Sequence, residues 1–261
     1  MLRTRVWTGI IALAAVLAVV TLAPNWFFMA FIAVVTAWGL YEIALMYAPG
    51  RPLVKSLLAL AGGLPALLIL RGAIPGWWVP AVIIAAMVAL TVGVGLKGAA
   101  GGAHHLETAL LGSIYVGVLF PYFALLRNQP QGVRLIIVML LLIVAGDSGA
   151  YFVGSRWGGI KLAPRVSPGK TVEGTIASIA ASLVAMVLLR GALPGAETMA
   201  QALVLALVIN LLAQIGDLAE SALKRIAGVK DSGWLFPGHG GLLDRTDSLV
   251  FATVFTYYYS R

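Results

Sequence analysis

Nine predominantly apolar stretches, 6–23, 26–47, 53–70, 77–96, 108–126, 133–153, 172–193, 199–223 and 248–259, follow one another with only short connections. A helix needs about 20 such residues to cross the hydrocarbon core of a bilayer. Within that core only helices and closed barrels satisfy their own backbone, and continuous apolar runs lack the alternation of barrel strands. The expected fold is therefore all-α: a polytopic integral membrane helical bundle of about nine transmembrane helices. Such spans occupy roughly 180 of the 261 residues, leaving no room for a separate soluble domain. With 61% hydrophobic and 11% charged residues, and a mean hydropathy of +0.97, the chain is far from the composition of a water-soluble domain.

Arg3 and Arg5 before the first apolar run give the N-terminus the look of a signal peptide, but no small-residue cleavage site follows and the run reads as the first span. Pro and Gly punctuate the connections at Pro49-Gly50, Pro75-Gly76, Gly98 to Gly102, Pro130, Gly158-Gly159 and Pro194-Gly195. Two halves are expected: residues 1–130 with about five spans, and 131–261 with about four spans and nearly all the polar chemistry.

Eighteen Lys and Arg against ten Asp and Glu leave a net charge of +8. In a soluble protein this balance raises the question of nucleic acid; here it reads as loops facing anionic lipid, and no nucleic-acid partner is expected. With the N-terminus inside, Arg3, Arg5, Arg51, Lys55, Lys97, Arg156, Lys161, Arg165, Lys170, Lys224, Arg225, Lys230 and Arg245 fall on the cytoplasmic side. Only Arg71, Arg127, Arg134, Arg190 and Arg261 fall outside, a bias that favours a cytoplasmic N-terminus and an outside C-terminus. The two longer polar connections, 154–171 and 224–247, then face the cytoplasm. The absence of Cys removes disulfides, zinc thiolates and thiol catalysis.

All the acidic residues except Glu42 and Glu107, which read as structural, lie between 147 and 247. Asp147 sits within the sixth apolar stretch, and Asp217 and Glu220 near the end of the eighth. A carboxylate at that depth needs a polar cavity, a cation or a buried ion pair. On one helix Asp217, Ser221 and Lys224 share a face, with Glu220 and Arg225 beside it. Asp244 and Asp247, three apart before the last span, point the same way. Carboxylates without Cys suit a hard cation such as Mg²⁺, which takes one or two carboxylates plus substrate phosphates. Ser167, Lys170, Thr171 and Glu173 stand just before a long helix, whose free N–H groups and positive dipole end favour phosphate. This is not a P-loop, since Pro164 stands where its first Gly belongs and no strand is expected to precede it. Gly93, Gly95 and Gly98 match a dinucleotide fingerprint by spacing alone and end a membrane helix. Around His239, the glycines at 238, 240 and 241 let backbone approach a ligand closely.

The run Ser221 to Asp247, S-x-x-K-R-x4-K-D-x-G-x2-[LF]-P-G-H-G-G-x-x-D-R-x-D, closely resembles the signature of phosphatidate cytidylyltransferases, or CDP-diacylglycerol synthases. The stretches Asp147 to Phe152 and Ser167 to Gly174 are similar to the same family, as is the number of spans. The resemblance implies that a phosphatidic acid oxygen attacks the α-phosphorus of CTP, giving CDP-diacylglycerol and diphosphate, in the cytoplasmic (inner) membrane of a bacterium. It implies Mg²⁺ as cofactor, with a monovalent cation such as K⁺ beside it. Carried over by position, Asp217 and Asp244 are chief metal ligands, with Asp147, Asp231 and Asp247 as nearby candidates. Lys224, Arg225 and Lys230 join Asp217 and Asp244 in the catalytic set. Ser167, Lys170, Thr171, Glu173, Ser221, His239 and Arg245 are expected to hold substrate. Because the attacking phosphate is already ionised, His239 reads as a phosphate or loop contact and not as a base. The alternative from another class is a transporter or channel, in which intramembrane carboxylates mark an ion path. Gly112, Ser113 and Gly117 suit either a homodimer face or internal packing.

Overall fold

A computed structural model describes residues 14–73, 75–99, 105–189, 191, 198–236 and 240–261. It is an all-α polytopic membrane protein. Helix α1 covers 14–22; α2 (Asn25–Tyr47), α3 (Pro52–Leu70), α4 (Trp78–Lys97), α5 (His105–Leu119), α6 (Tyr122–Arg127) and α7 (Gly132–Trp157) follow. A two-stranded hairpin, β1 (Lys161–Ala163) and β2 (Ser167–Thr171), leads into α8 (Val172–Leu189), α9 (Met199–Ile226) and α10 (Leu243–Tyr259). Seven segments among the described residues are long and apolar enough to cross a membrane, with α5 and α6 counted as one. The first expected span lies partly outside the described residues, and α10, at 17 residues, is too short to count.

The fifth expected span is broken where Pro121 supplies no backbone N–H and starts α6 afresh. Small residues bring α3 and α5 together: a Cβ on Gly62 would overlap the Ser113 carbonyl, and one on Gly117 the backbone of Gly62. A Cβ on Gly112 would come to 3.1 Å from Ile43 Cδ1 on α2. Of the two uses open to these residues, the structure has the internal one, as expected where packing and not water drives helix association. Asn210 on α9 donates to Ser178 Oγ (3.0 Å) and Ser182 Oγ (2.7 Å) on α8, and Ser182 donates to the Leu142 carbonyl on α7 (2.8 Å). This buried chain holds the three site-bearing helices in register.

The helix ends sort into two groups. At one end, the carbonyls of Gly95 and Leu96 on α4 accept from Arg165 in the hairpin turn, Val166 accepts from Arg225 of α9 (3.0 Å), and Tyr47 of α2 donates to Leu223 (2.7 Å). At the other, Arg127 donates to the carbonyls of Val20 (2.9 Å) and Ala23 and to Asn25, and Tyr122 bonds Tyr258 (2.9 Å). Arg127, expected as a loop charge, is buried as a clasp for the chain at 20–25.

Candidate active site

Helix α9 is followed by Gly228, whose φ of 72° only glycine adopts freely. There the N–H of Val229 returns to the Lys224 carbonyl (3.0 Å) and that of Gly228 to Arg225 (3.2 Å), closing the last turn. The chain then runs as a loop to α10, pinched where Phe236 N donates to the Gly240 carbonyl (3.0 Å). Residues 237–239 lie outside the described residues, so His239 has no position here. Lys230, Asp231 and Arg245 are exposed on this stretch.

Two linked groups of charge stand at this end of the bundle. In the first, Lys224 Nζ lies 2.6 Å from Glu220 Oε2 and 2.5 Å from Asp244 Oδ1, with the two carboxylates and the ammonium all close to fully enclosed. Asp244 Oδ2 accepts from Ser232 N (2.8 Å), Ser232 Oγ (2.9 Å) and Gly241 N (2.7 Å). The shared face of Asp217, Ser221 and Lys224 is present, with Ser221 Oγ 3.5 Å from Asp217 Oδ1. Yet Lys224 and Asp244, expected as phosphate and metal contacts, are engaged mainly with each other and with the loop. Arg225 is likewise occupied by the carbonyls of Val166 and Val229.

The second group lines a cleft of about 480 Å³ between α7, the hairpin, α8 and α9. Asp147, Lys170, Thr171, Gln214 and Asp217 face it, with Tyr151 at its edge. Lys170 Nζ pairs with Asp217 Oδ2 at 2.7 Å and reaches the Gln214 carbonyl at 3.3 Å. Asp147 and Asp247 both lie within electrostatic reach of Asp217 and Lys170. Exposed Tyr151 lines the cleft, and exposed Phe152 packs edge-on against its ring.

Before α8 the sequence reading needs correction, since a strand does precede the helix. β2 pairs antiparallel with β1, Lys161 opposite Thr171 and Ala163 opposite Ser167. Three residues and five residues with a Pro-Arg turn carry too weak a period-2 pattern to be seen beside apolar helices. The segment is still no P-loop, for the reason its sequence gives. Thr171 accepts from Gly174 N (3.1 Å) and so caps α8, while Val172 N is taken by the Ile160 carbonyl (2.9 Å). Glu173 accepts from Ile160 N (3.1 Å). The expected cradle of free N–H groups is therefore largely filled by the protein itself, and Lys170 is the hairpin's charged contribution to the cleft.

The carboxylate of Glu42, a residue expected to be structural, is 1% exposed and reaches the motif loop from α2. It accepts from Trp38 Nε1 (3.0 Å), Ser232 Oγ (2.9 Å), Leu242 N (2.7 Å) and Leu243 N (2.9 Å). The one signal in the sequence was a carboxylate inside an apolar run with no basic residue within a helical turn.

Among the described residues no three His, Cys, Asp or Glu converge as a ready metal cage. The charge balance nevertheless fits a cation: Asp147, Asp217, Glu220, Asp244 and Asp247 interact across the two groups, against Lys170 and Lys224. Mg²⁺ needs only one or two carboxylates when phosphates complete its shell.

The profile of the Cytidylyltransferase family matches residues 3–261. Over 149 residues the chain is 41% identical to a phosphatidate cytidylyltransferase of Bacillus subtilis, covering 57% of this chain and 55% of that one. It is 37% identical over 142 residues to the enzyme of that name from Staphylococcus epidermidis, and 36% identical over 142 residues to that of Staphylococcus aureus, covering 54% of each chain in both cases. The chain thus spans about half the length of the curated relatives it matches.

Proposed function

Because the chain belongs to the cytidylyltransferase family, we propose that it transfers the cytidylyl group of CTP to phosphatidic acid, releasing diphosphate, at the cytoplasmic end of the bundle. The observation that carries this reading is the pairing of Lys170 with a surplus of carboxylates in a cleft whose flank bears exposed aromatics. A diacyl substrate can keep its tails in hydrocarbon beside Tyr151 and Phe152 while its phosphate enters the cleft. The cationic loops gathered at this end support a mouth on the cytoplasmic side, where CTP is found.

Mg²⁺ held by Asp217 with Asp147 or Asp247 would supply neutralisation of charge on the nucleotide phosphates. Lys170, at the same carboxylate, binds a phosphate oxygen and leaves Asp217 as it does so. The hairpin and the Asn210 chain keep α7, α8 and α9 fixed, so little reorganisation accompanies charge development. The phosphatidate oxygen bonds to the α-phosphorus as the bond to the β-phosphate oxygen breaks, and the leaving diphosphate takes the electron pair. No protein base is required, since the attacking phosphate is ionised at neutral pH. Lys224 and Asp244 act on the shape of the loop that carries Lys230 and Asp231 and leads to Arg245 at the start of α10.

The transporter reading has nothing behind it: the charges gather at one end instead of threading the bundle, and the family match points to transfer. Purified protein given CTP, phosphatidic acid and Mg²⁺ should release diphosphate only when both substrates are present. Asp217→Asn should lower the rate by at least about 100-fold. Release without lipid, or none in a folded preparation, would contradict the proposal.

A further inference from the structure

We infer that Glu42 is a positioning residue for the reaction, anchoring the motif loop between α9 and α10 to the N-terminal half of the bundle. This rests on the cytidylyltransferase reading. Helix α10 has no side-chain cap of its own. Its first N–H groups, at Leu242 and Leu243, donate instead to Glu42, about two hundred residues earlier in the chain. A carboxylate there meets both the orphan donors and the positive end of the helix dipole. The same carboxylate takes Ser232 Oγ, which with Ser232 N also bonds Asp244. Both ends of the loop thus converge on one buried anion fixed by Trp38.

Two glycines make room for it. A Cβ on Gly241 would come within 2.6 Å of Glu42 Oε2 and also crowd Ser232. For one on Gly233 the three nearest atoms all belong to Glu42, with Oε1 at 2.8 Å and Cδ at 3.0 Å. Gly233 does not adopt a left-handed conformation, so alanine there is opposed by Glu42 and not by the backbone.

The test uses the whole chain in detergent with four variants: Glu42→Ala, Glu42→Gln, Gly233→Ala and the Glu42→Ala/Gly233→Ala pair. Chymotrypsin cleavage after Trp234 in the loop is measured against cleavage after Trp157, which is 66% exposed beside 72% for Trp234 and is not held by Glu42. Glu42→Ala should raise the ratio by at least about fivefold, since a loop without its anchor opens more often. The CTP KM per folded molecule should rise by a similar factor, because the competent loop is populated less. Glu42→Gln keeps part of the hydrogen bonding and should fall between. Gly233→Ala should mimic Glu42→Ala on the natural background, but add less than about twofold on the Glu42→Ala background, as touching residues are not additive.

An unchanged cleavage ratio in Glu42→Ala, or a Gly233→Ala effect equal in both backgrounds, would overturn the anchor. An unchanged CTP KM with a maximal rate that tracks only the folded fraction would overturn its positioning role. If the natural chain transfers no cytidylyl group, the proposed reaction fails, while the cleavage ratios and the cycle still decide whether Glu42 holds the loop.

Discussion

Replacing Lys224 by Met should unfold the site end of the bundle far more readily than its place in a nucleotide-binding signature implies. Glu220 is 1% exposed, and among the described residues its one close cation is Lys224, at 2.6 Å. Neither of its carboxylate oxygens has any further hydrogen-bond partner. Asp244 differs, because the N–H groups of Ser232 and Gly241, and the Ser232 hydroxyl it shares with Glu42, remain when Lys224 is gone. The loss therefore falls on Glu220. Leaving one member of a buried pair uncompensated destabilises by about 3–5 kcal/mol. For a chain of this size that lowers the thermal midpoint by roughly 6–20 °C. Replacing both members by apolar residues removes the orphan, so Glu220→Met with Lys224→Met should lie within about 1–2 kcal/mol of the natural protein. Thermal unfolding in a mild detergent, followed by near-UV circular dichroism, reads all three. A single variant as stable as the natural chain, or a double variant no better than the single, would refute the argument.

Lys170 holds Asp217 at 2.7 Å, so Lys170→Met should free that carboxylate and tighten Mn²⁺ binding without nucleotide by about three- to tenfold, read by electron paramagnetic resonance. The same variant should transfer cytidylyl groups at least about 100-fold more slowly, and unchanged Mn²⁺ affinity would argue against Asp217 as a ligand. Asn210→Leu removes the bonds to Ser178, Ser182 and Gln214 and should destabilise the bundle by about 1–2 kcal/mol in a detergent-titrated unfolding curve. An unmoved midpoint would mean that this chain does not hold α8 against α9.

The helices were legible because a bilayer leaves few other options: the runs at 26–47, 53–70 and 77–96 reappear within a residue or so as α2, α3 and α4. The shared face of Asp217, Ser221 and Lys224 also followed from helical spacing, since α9 continues unbroken to Ile226. The hairpin did not show, being short and paired to itself. Partners across the fold were hidden for a different reason. Nothing near Lys224 in sequence says that Asp244, twenty residues on, will claim its ammonium, and nothing near Glu42 names Leu242 or Leu243. Spacing places a side chain on a face; which opposite charge fills that face is decided by packing between elements.

The most direct test follows the phosphorus. Purified protein is given phosphatidic acid, Mg²⁺ and CTP labelled with ³²P at either the α or the γ position, and the organic-extractable lipid is counted. Label is expected in the lipid from α-labelled CTP alone, with γ label recovered as aqueous diphosphate. Lipid labelled from the γ position would mean phosphoryl transfer, and no labelled lipid from either position would contradict cytidylyl transfer outright.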